Sequence, residues 1–200
     1  EAPDRGQTRG PLIQRLQELA RSPEQELRAL AQRLGWYADN GRQDGLELGL
    51  EGLARAQALK LPEQAFELLN AVAWQLATRG QSAAAIDVVE QQRAWVLTQG
   101  PRTQADFHLI LAGVLGFSDQ LLQAIASGED ALATLRAAGL LDRTLPVLNN
   151  IGLYRWWRGE LDAAKAVLLE ASALRDRMHG SGAALMIDVY LGAVLRDRGE

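Results

Sequence analysis

The stretch LNNIGLYRWWRGELDAAKAVLLEASAL, residues 148–174, combines two helical patterns around one glycine turn. Before the turn at Gly159, apolar residues recur at helical spacing with Gly152 among them. After the turn, small Ala164 lies one helical turn before bulky Leu168. Helices that cross at close range need a small residue at the contact and large residues beside it. The stretch therefore predicts two closely packed antiparallel helices.

Landmarks elsewhere in the chain repeat with a constant period of about 40 residues. Pro23, Pro62 and Pro101 follow one another at equal intervals, and a turn residue recurs between them in matching phase. These turn residues are Gly41, Gly80, Asp119 (in place of glycine), Gly159 and Gly199. A fixed period of this length indicates one supersecondary unit used repeatedly, each copy resting on the last.

Between these landmarks the apolar residues follow helical spacing, and no sustained alternation of strand type occurs. We therefore expect an all-α fold, a right-handed superhelical solenoid of antiparallel helix pairs. The predicted pairs are 23–40 with 44–59, 63–79 with 82–98, 102–117 with 119–137, and 142–158 with 160–178, followed by a lone helix over 183–198. Pro146 predicts that its helix begins near Thr144 or Leu145, since proline is tolerated in the first turn.

The domain organisation follows from the same landmarks. The polar residues 1–10 predict a flexible tail or linker, and Pro11 begins a short helix that ends near Arg21. Residues 11–200 are then one helical repeat domain, with repeats at about 23–60, 61–99, 100–140 and 141–180 and a truncated repeat at 181–200. The chain starts without Met and stops where the period places a turn between two helices, so we expect a piece of a longer protein.

The pattern in residues 148–174 resembles the tetratricopeptide repeat (TPR), and the other repeats keep it less evenly. The usual TPR period is about 34 residues, whereas a period of about 39–40 is similar to the repeats of MalT-like and AfsR-like bacterial transcriptional regulators. The resemblance implies a non-catalytic protein- or peptide-binding and sensing module, part of a larger bacterial regulator of signalling or transcription. A pure assembly scaffold or adaptor, in a secretion or envelope complex, is the alternative.

Candidate binding residues lie on the first helices of two repeats, which line the concave face of such an array. They are Asn70, Trp74, Asn149, Asn150, Leu153, Trp156 and Trp157. Asparagine both donates and accepts hydrogen bonds, and tryptophan supplies a large, stiff anchor surface. The alternative is that Trp74 and one tryptophan of the 156–157 pair pack between helices. Adjacent helical residues point about 100° apart, so the pair is not expected to be equally buried.

The sequence gives little evidence for nucleic-acid binding, metal binding or catalysis. A net charge of −4 argues against direct nucleic-acid binding, which needs clustered cations. The two histidines, His108 and His179, lack zinc-site spacing, and there is no cysteine. We expect no enzyme, no metal and no cofactor; catalysis would require His108 to meet acidic partners.

The expected partner is a protein, a peptide or a small effector. No apolar stretch approaches the roughly 20 residues that a membrane span needs. The absence of cysteine fits a cytoplasmic protein and leaves a periplasmic one open.

Overall fold

The computed structural model describes residues 5–40, 42, 45–177 and 184–200, and the described part is helical without strands. The chain divides into two compact units, an N-terminal unit (Glu1–Ala94) and a C-terminal unit (Trp95–Glu200). Each unit is built from helices that pack against the next helix in the chain and, as α2 does on α4, against the helix after it. The predicted all-α class is confirmed. Gly41 and His179 lie outside the described residues.

Helix bounds agree closely with the predicted pairs. The N-terminal unit contains α1 (Arg5–Leu19), α2 (Pro23–Asp39), α3 (Leu46–Ala58), α4 (Pro62–Thr78) and α5 (Ser82–Glu90), and the short α6 (Arg93–Val96) spans the boundary between the units. The C-terminal unit contains α7 (Pro101–Phe117), α8 (Leu121–Ala137), a 3-10 turn (Leu141–Arg143), α9 (Thr144–Trp157), α10 (Leu161–Arg177) and α11 (Ala184–Arg198). The predicted start of α9 is confirmed.

The periodic prolines begin helices. Pro23, Pro62 and Pro101 are the first residues of α2, α4 and α7. Proline suits this position because its fixed φ matches the helix and its missing N–H would have no helical partner. At α2 the preceding Ser22 adds a side-chain cap, since its Oγ accepts a hydrogen bond from the backbone N–H of Gln25 at 3.3 Å.

The periodic turn residues end helices in the left-handed conformation. The residues with positive φ after helices are Lys60 (56°), Gly80 (73°), Asp119 (60°), Gly139 (71°), Gly159 (76°) and Gly199 (77°). At each of them the next N–H bonds a carbonyl in the last turn of the helix, as from Glu160 N to Arg155 O at 2.9 Å. This bond satisfies a carbonyl that the helix end leaves unpaired. Asp119 therefore replaces glycine in the turn, as predicted.

Glycines inside helices mark close approaches between them. A Cβ added at Gly152 of α9 would lie 2.6 Å from Leu168 Cγ of α10. A Cβ at Gly116 of α7 would lie 2.4 Å from Tyr154 Cε1 of α9. Leu168 and Tyr154 are both buried, so neither can move into solvent without loss of packing. The predicted contact of Gly152 is confirmed.

Two helix predictions differ from the structure. Residues 5–10, predicted as a tail, belong to α1, and two of them contact α2: the Cβ position of Gly10 lies 3.3 Å from Trp36 Cζ2, and Arg9 pairs with Asp39 at 3.3 Å. The helix predicted over 82–98 is interrupted by a turn at residues 91–92, where the half-buried Gln92 accepts a hydrogen bond from Gln57 Nε2 at 2.7 Å. Glutamine stands here where the repeat pattern favours a small residue.

Candidate functional site

Helix α9 carries five of the seven candidate residues. Its inner side is fixed by apolar residues that are buried against α8 and α10: Leu145, Leu148, Ile151 and Gly152. Because the helix is held on that side, the remaining residues face outward or toward α11. Asn149, Asn150 and Leu153 are half-buried, and the two tryptophans follow at the end of the helix.

The two tryptophans have different environments, as their adjacency predicts. Trp156 packs between helices: its indole N–H donates to Asp197 Oδ2 at 2.8 Å, and its ring lies 6.4 Å from that of Tyr190. Trp157 is 53 % exposed and rests with one side against Tyr154, at 5.9 Å between ring centroids. Trp156 is therefore part of the contact between α9 and α11, whereas the ring of Trp157 is exposed to solvent.

The side chain of Asn149, earlier on the same helix, is incompletely satisfied. Asn149 Nδ2 donates to Asn150 Oδ1 at 3.4 Å, a long hydrogen bond. Asn149 Oδ1 is buried and accepts no hydrogen bond from any residue that the structure describes. A buried carbonyl oxygen without a donor costs free energy, and this one reaches a ligand N–H group only when the Asn149 side chain turns outward.

Apolar side chains continue from α9 onto the first helices on either side. Phe117 of α7 is 52 % exposed and lies one repeat before Trp157, at the same position of the repeat. Val189 of α11 is 54 % exposed and lies one repeat after Asn149. Both helices contact α9. We call Phe117, Trp157 and Val189, together with Asn149 of α9, the first-helix face of the C-terminal unit.

Sequence reasoning missed Phe117 and Val189. The signal was present in the repeat period, because each lies one period away from a candidate residue of α9. Their neighbours on the same helices are small: a Cβ added at Gly113 or Gly192 would meet nothing within 4 Å. The first-helix face therefore consists of exposed apolar side chains, and the glycines near them leave the backbone uncrowded.

The other two candidates lie on α4 of the N-terminal unit. Asn70 is exposed and Trp74 is 39 % exposed, one turn apart on the same side of the helix. The opposite side of α4 is buried, and there Gln75 Nε2 donates to Leu34 O of α2 at 3.0 Å. Trp74 is therefore not a fully packed core residue.

The same helix carries a carboxylate with a raised pKa. Burial raises the pKa of Glu67 above its usual 4.5; Arg28, 3.8 Å from Glu67 Oε1, lowers it, and Glu63 raises it further. The folded state thus holds this proton more tightly than the unfolded state. The contribution of Glu67 to stability is present below pH 4.5 and is lost as the pH rises through the raised pKa.

We therefore expect Glu67→Gln to raise the free energy of unfolding at neutral pH, because the neutral amide removes a partly buried charge. The gain should disappear below pH 4.5. Urea unfolding followed by circular dichroism at both pH values measures it. The control is Glu51→Gln at an exposed site of α3, where a change within about 0.5 kcal/mol is expected. A loss of stability at neutral pH would show that the Arg28 ion pair outweighs burial.

His108 does meet polar neighbours, but not in the geometry of a catalytic triad. Its Nδ1 lies 3.4 Å from Ser127 Oγ and 3.9 Å from Asp130 Oδ2. A triad needs the hydroxyl and the carboxylate on different ring nitrogens. Here both approach the same nitrogen, and Ser127 Oγ donates to His108 O at 3.0 Å. The cluster links α7 to α8.

The described residues contain neither a metal-binding cluster nor a membrane-spanning helix. No group of three or more His, Asp or Glu side chains among them is placed to hold a metal ion. None of the helices in the described part has the length and apolar character needed to cross a membrane.

Comparison with known proteins identifies the fold. No family model matches the sequence, and no curated protein is significantly similar to it. Among solved structures, a kinesin-light-chain protein of Podosopora anserina with nearly identical TPR-like repeats is 18 % identical, with a TM-score of 0.66 over 90 % of both chains. BtubC (BKLC) from P. vanneervenii is 20 % identical, with a TM-score of 0.70 over 97 % of this chain and 82 % of that one.

A third similar structure is PlcR of Bacillus thuringiensis, solved in complex with the peptide PapR7 and DNA. It is 16 % identical, with a TM-score of 0.66 over 95 % of this chain and 69 % of that one. Identities this low show the fold alone. The chain therefore has the all-α helical repeat fold of TPR-like proteins.

Proposed function

We propose that this chain is a non-catalytic module that binds a protein or peptide segment on the first-helix face of its C-terminal unit. The observation that carries the proposal is the exposed Trp157 ring on the same helix as the unpaired Asn149 carbonyl oxygen. An exposed aromatic anchor and an unsatisfied acceptor are complementary to a peptide, which brings apolar side chains and backbone N–H groups.

The neighbouring helices extend this complementarity. Phe117 and Val189 add exposed apolar side chains on the two first helices that contact α9, and a Cβ at Gly113 or Gly192 of those helices would meet nothing within 4 Å. Large exposed apolar residues thus recur on α7, α9 and α11, and together they favour a partner on this side of the unit. Support from comparison is limited to the TPR-like fold, which in PlcR occurs in a protein solved with a peptide.

We further propose that the module senses its ligand as part of a larger bacterial regulator in the cytoplasm, similar to the MalT-like and AfsR-like proteins. The repeat period, longer than that of the usual TPR, supports this. The net charge of −4 supports a protein or peptide partner, or a small effector, over direct nucleic-acid contact by this segment. In the alternative, an assembly scaffold, partner binding would leave the conformation of the chain unchanged.

The test begins with peptides selected from a random library on the full chain, whose affinities are measured by fluorescence polarisation. We expect Trp157→Ala to weaken binding about thirtyfold, because truncating a central aromatic anchor costs about 2 kcal/mol. Asn149→Ala should weaken it by about tenfold through loss of a hydrogen bond to the peptide backbone.

The matched control is Leu169→Ala, an apolar residue of similar exposure on α10. It should leave peptide affinity unchanged, and all three variants should keep the far-UV circular dichroism of the parent. Equal binding by Trp157→Ala and the parent would refute the site. Small-angle scattering with and without peptide then separates a sensing module, which changes shape on binding, from a scaffold, which does not.

A further inference from the structure

Helix α1 carries a stripe of exposed leucines. Leu12, Leu16 and Leu19 are 64 %, 52 % and 50 % exposed, whereas Ile13 of the same helix is buried. Spacings of four and three residues place the three leucines on one side of the helix. Single leucines scattered over a surface need no explanation, but a continuous apolar stripe indicates an interaction surface.

The stripe borders a groove between α1 and α2 of the N-terminal unit. Leu16 and Leu19 line this groove together with Ala29 of α2, and it encloses about 390 Å³. Among the described residues that line it, none is Asp or Glu and only Arg28 is charged. We call the three leucines, with Ala29 and Arg28 across the groove, the α1 face.

The spacing of the leucines suits a second helix. Two helices pack along a seam of apolar residues whose spacings alternate between four and three, the a and d positions of a heptad. The leucines of α1 follow this rule over one heptad. A strand repeats its side chains every two residues and does not match the stripe. The α1 face therefore has the pattern that receives an amphipathic helix.

The charge next to the stripe on α1 is positive. Around the helix, Arg15 lies within about 60° of Leu12 and Leu19, whereas Glu18 lies at least about 100° from each leucine. Arg15 pairs with Glu18 at 2.9 Å, but both side chains are at least half exposed. An exposed pair of this kind adds little stability, so Arg15 can exchange it for the carboxylate of a partner.

Arg28 gives the same sign to the other border of the groove. It lies 3.8 Å from Glu67 Oε1, and its side chain is 56 % exposed. A guanidinium has five N–H donors, so this ion pair leaves donors for a second carboxylate. Carboxylates on both sides of an apolar stripe would therefore complement the α1 face.

We propose that the α1 face binds an amphipathic helix of a protein partner, with acidic residues beside its apolar stripe. A second copy of this chain is a poorer occupant. A twofold contact sets a surface against itself, and here it would bring arginine-bordered stripes together. The face belongs to the N-terminal unit, so the proposal does not depend on peptide binding by the C-terminal unit.

The test uses two synthetic helical peptides with leucine at the a and d positions of three heptads. One carries glutamate and the other lysine at positions e and g, where charges select the partner helix. Fluorescence polarisation measures their binding to the full chain, in about 0.15 M salt to screen distant charges. We expect the glutamate peptide to bind about tenfold more tightly than the lysine peptide.

Leu16→Ala should weaken binding of the glutamate peptide about tenfold, because the complex buries this leucine. Its matched control, Leu48→Ala at a 47 % exposed site of α3, should leave the affinity unchanged. Arg15→Glu should reduce the preference for glutamate at least about threefold. Arg55→Glu, at an exposed site of α3, should keep that preference. Trp157→Ala should bind the peptide as the parent does, which separates the α1 face from the first-helix face.

Four results would overturn the proposal. They are no binding of the glutamate peptide, equal binding of the two peptides, equal affinity of Leu16→Ala and Leu48→Ala at parental helicity, and a dimer of the peptide-free chain that Leu16→Ala dissociates. Sedimentation equilibrium detects the dimer. Should Leu16→Ala lose helicity, Arg15→Glu decides, and a preference equal to that of Arg55→Glu would refute the proposed helix partner.

Discussion

Gly152→Leu is expected to lower the free energy of unfolding by about 2–3 kcal/mol, the cost of overpacking a well-filled contact. Even the first carbon of the new side chain would lie 2.6 Å from Leu168 Cγ and 2.7 Å from its Cδ2. Leu168 is fully buried, so α9 and α10 must separate to make room. Urea unfolding followed by circular dichroism measures the loss.

The matched control for this substitution is Gly192→Leu on α11. Gly192 has the same place in the next repeat, but a Cβ there meets nothing within 4 Å. We expect this variant to be as stable as the parent or slightly more stable, since leucine favours a helix over glycine by up to about 1 kcal/mol. Equal losses in both variants would mean that backbone conformation, not the Leu168 contact, sets the cost.

A double variant tests the contact itself. Leu168→Ala alone should cost about 2–5 kcal/mol through the cavity that it leaves. Gly152→Ala adds a methyl group that points into that cavity. We therefore expect the double variant to be about 1 kcal/mol more stable than the sum of the two single effects, as for residues in direct contact. Strict additivity would contradict the observed packing of α9 on α10.

Gly116→Val tests the contact between α7 and α9, the first helices of two successive repeats. A Cβ at this position of α7 would lie 2.4 Å from Cε1 and 2.6 Å from Cζ of Tyr154 on α9. The Tyr154 ring is rigid and buried, so it cannot bend away as a flexible chain would. We expect the free energy of unfolding to fall by about 3 kcal/mol, at the upper end of the range for overpacked contacts.

Gly113→Val, one helical turn earlier on α7, is the control. Its Cβ would meet nothing within 4 Å, so we expect no loss beyond about 0.5 kcal/mol. Burial, and secondarily Tyr190, raise the pKa of Tyr154 to about 12. The ring therefore stays uncharged at neutral pH, and the comparison of the two valine variants in urea reports packing alone. Similar stability of both variants would contradict the close approach of α7 and α9.

The helical class and most helix bounds were predictable because they depend on local chemistry. Proline at a helix start and glycine or aspartate in the left-handed turn act within a few residues. Their period therefore located α2, α4 and α7 and the ends at Gly80, Asp119 and Gly159. The start of α1 was predicted wrongly: the helix begins at Arg5, and its Gly10 contacts Trp36, a tertiary contact that the local pattern does not reveal.

In the candidate site too, local chemistry was predictable from the sequence and tertiary contacts were not. The sequence by itself determined that repeated helix pairs form, and that Trp156 and Trp157 must differ in burial, because both follow from the helical period. Only the tertiary structure decided which tryptophan is exposed, since the position of α11 with Asp197 and Tyr190 settles it.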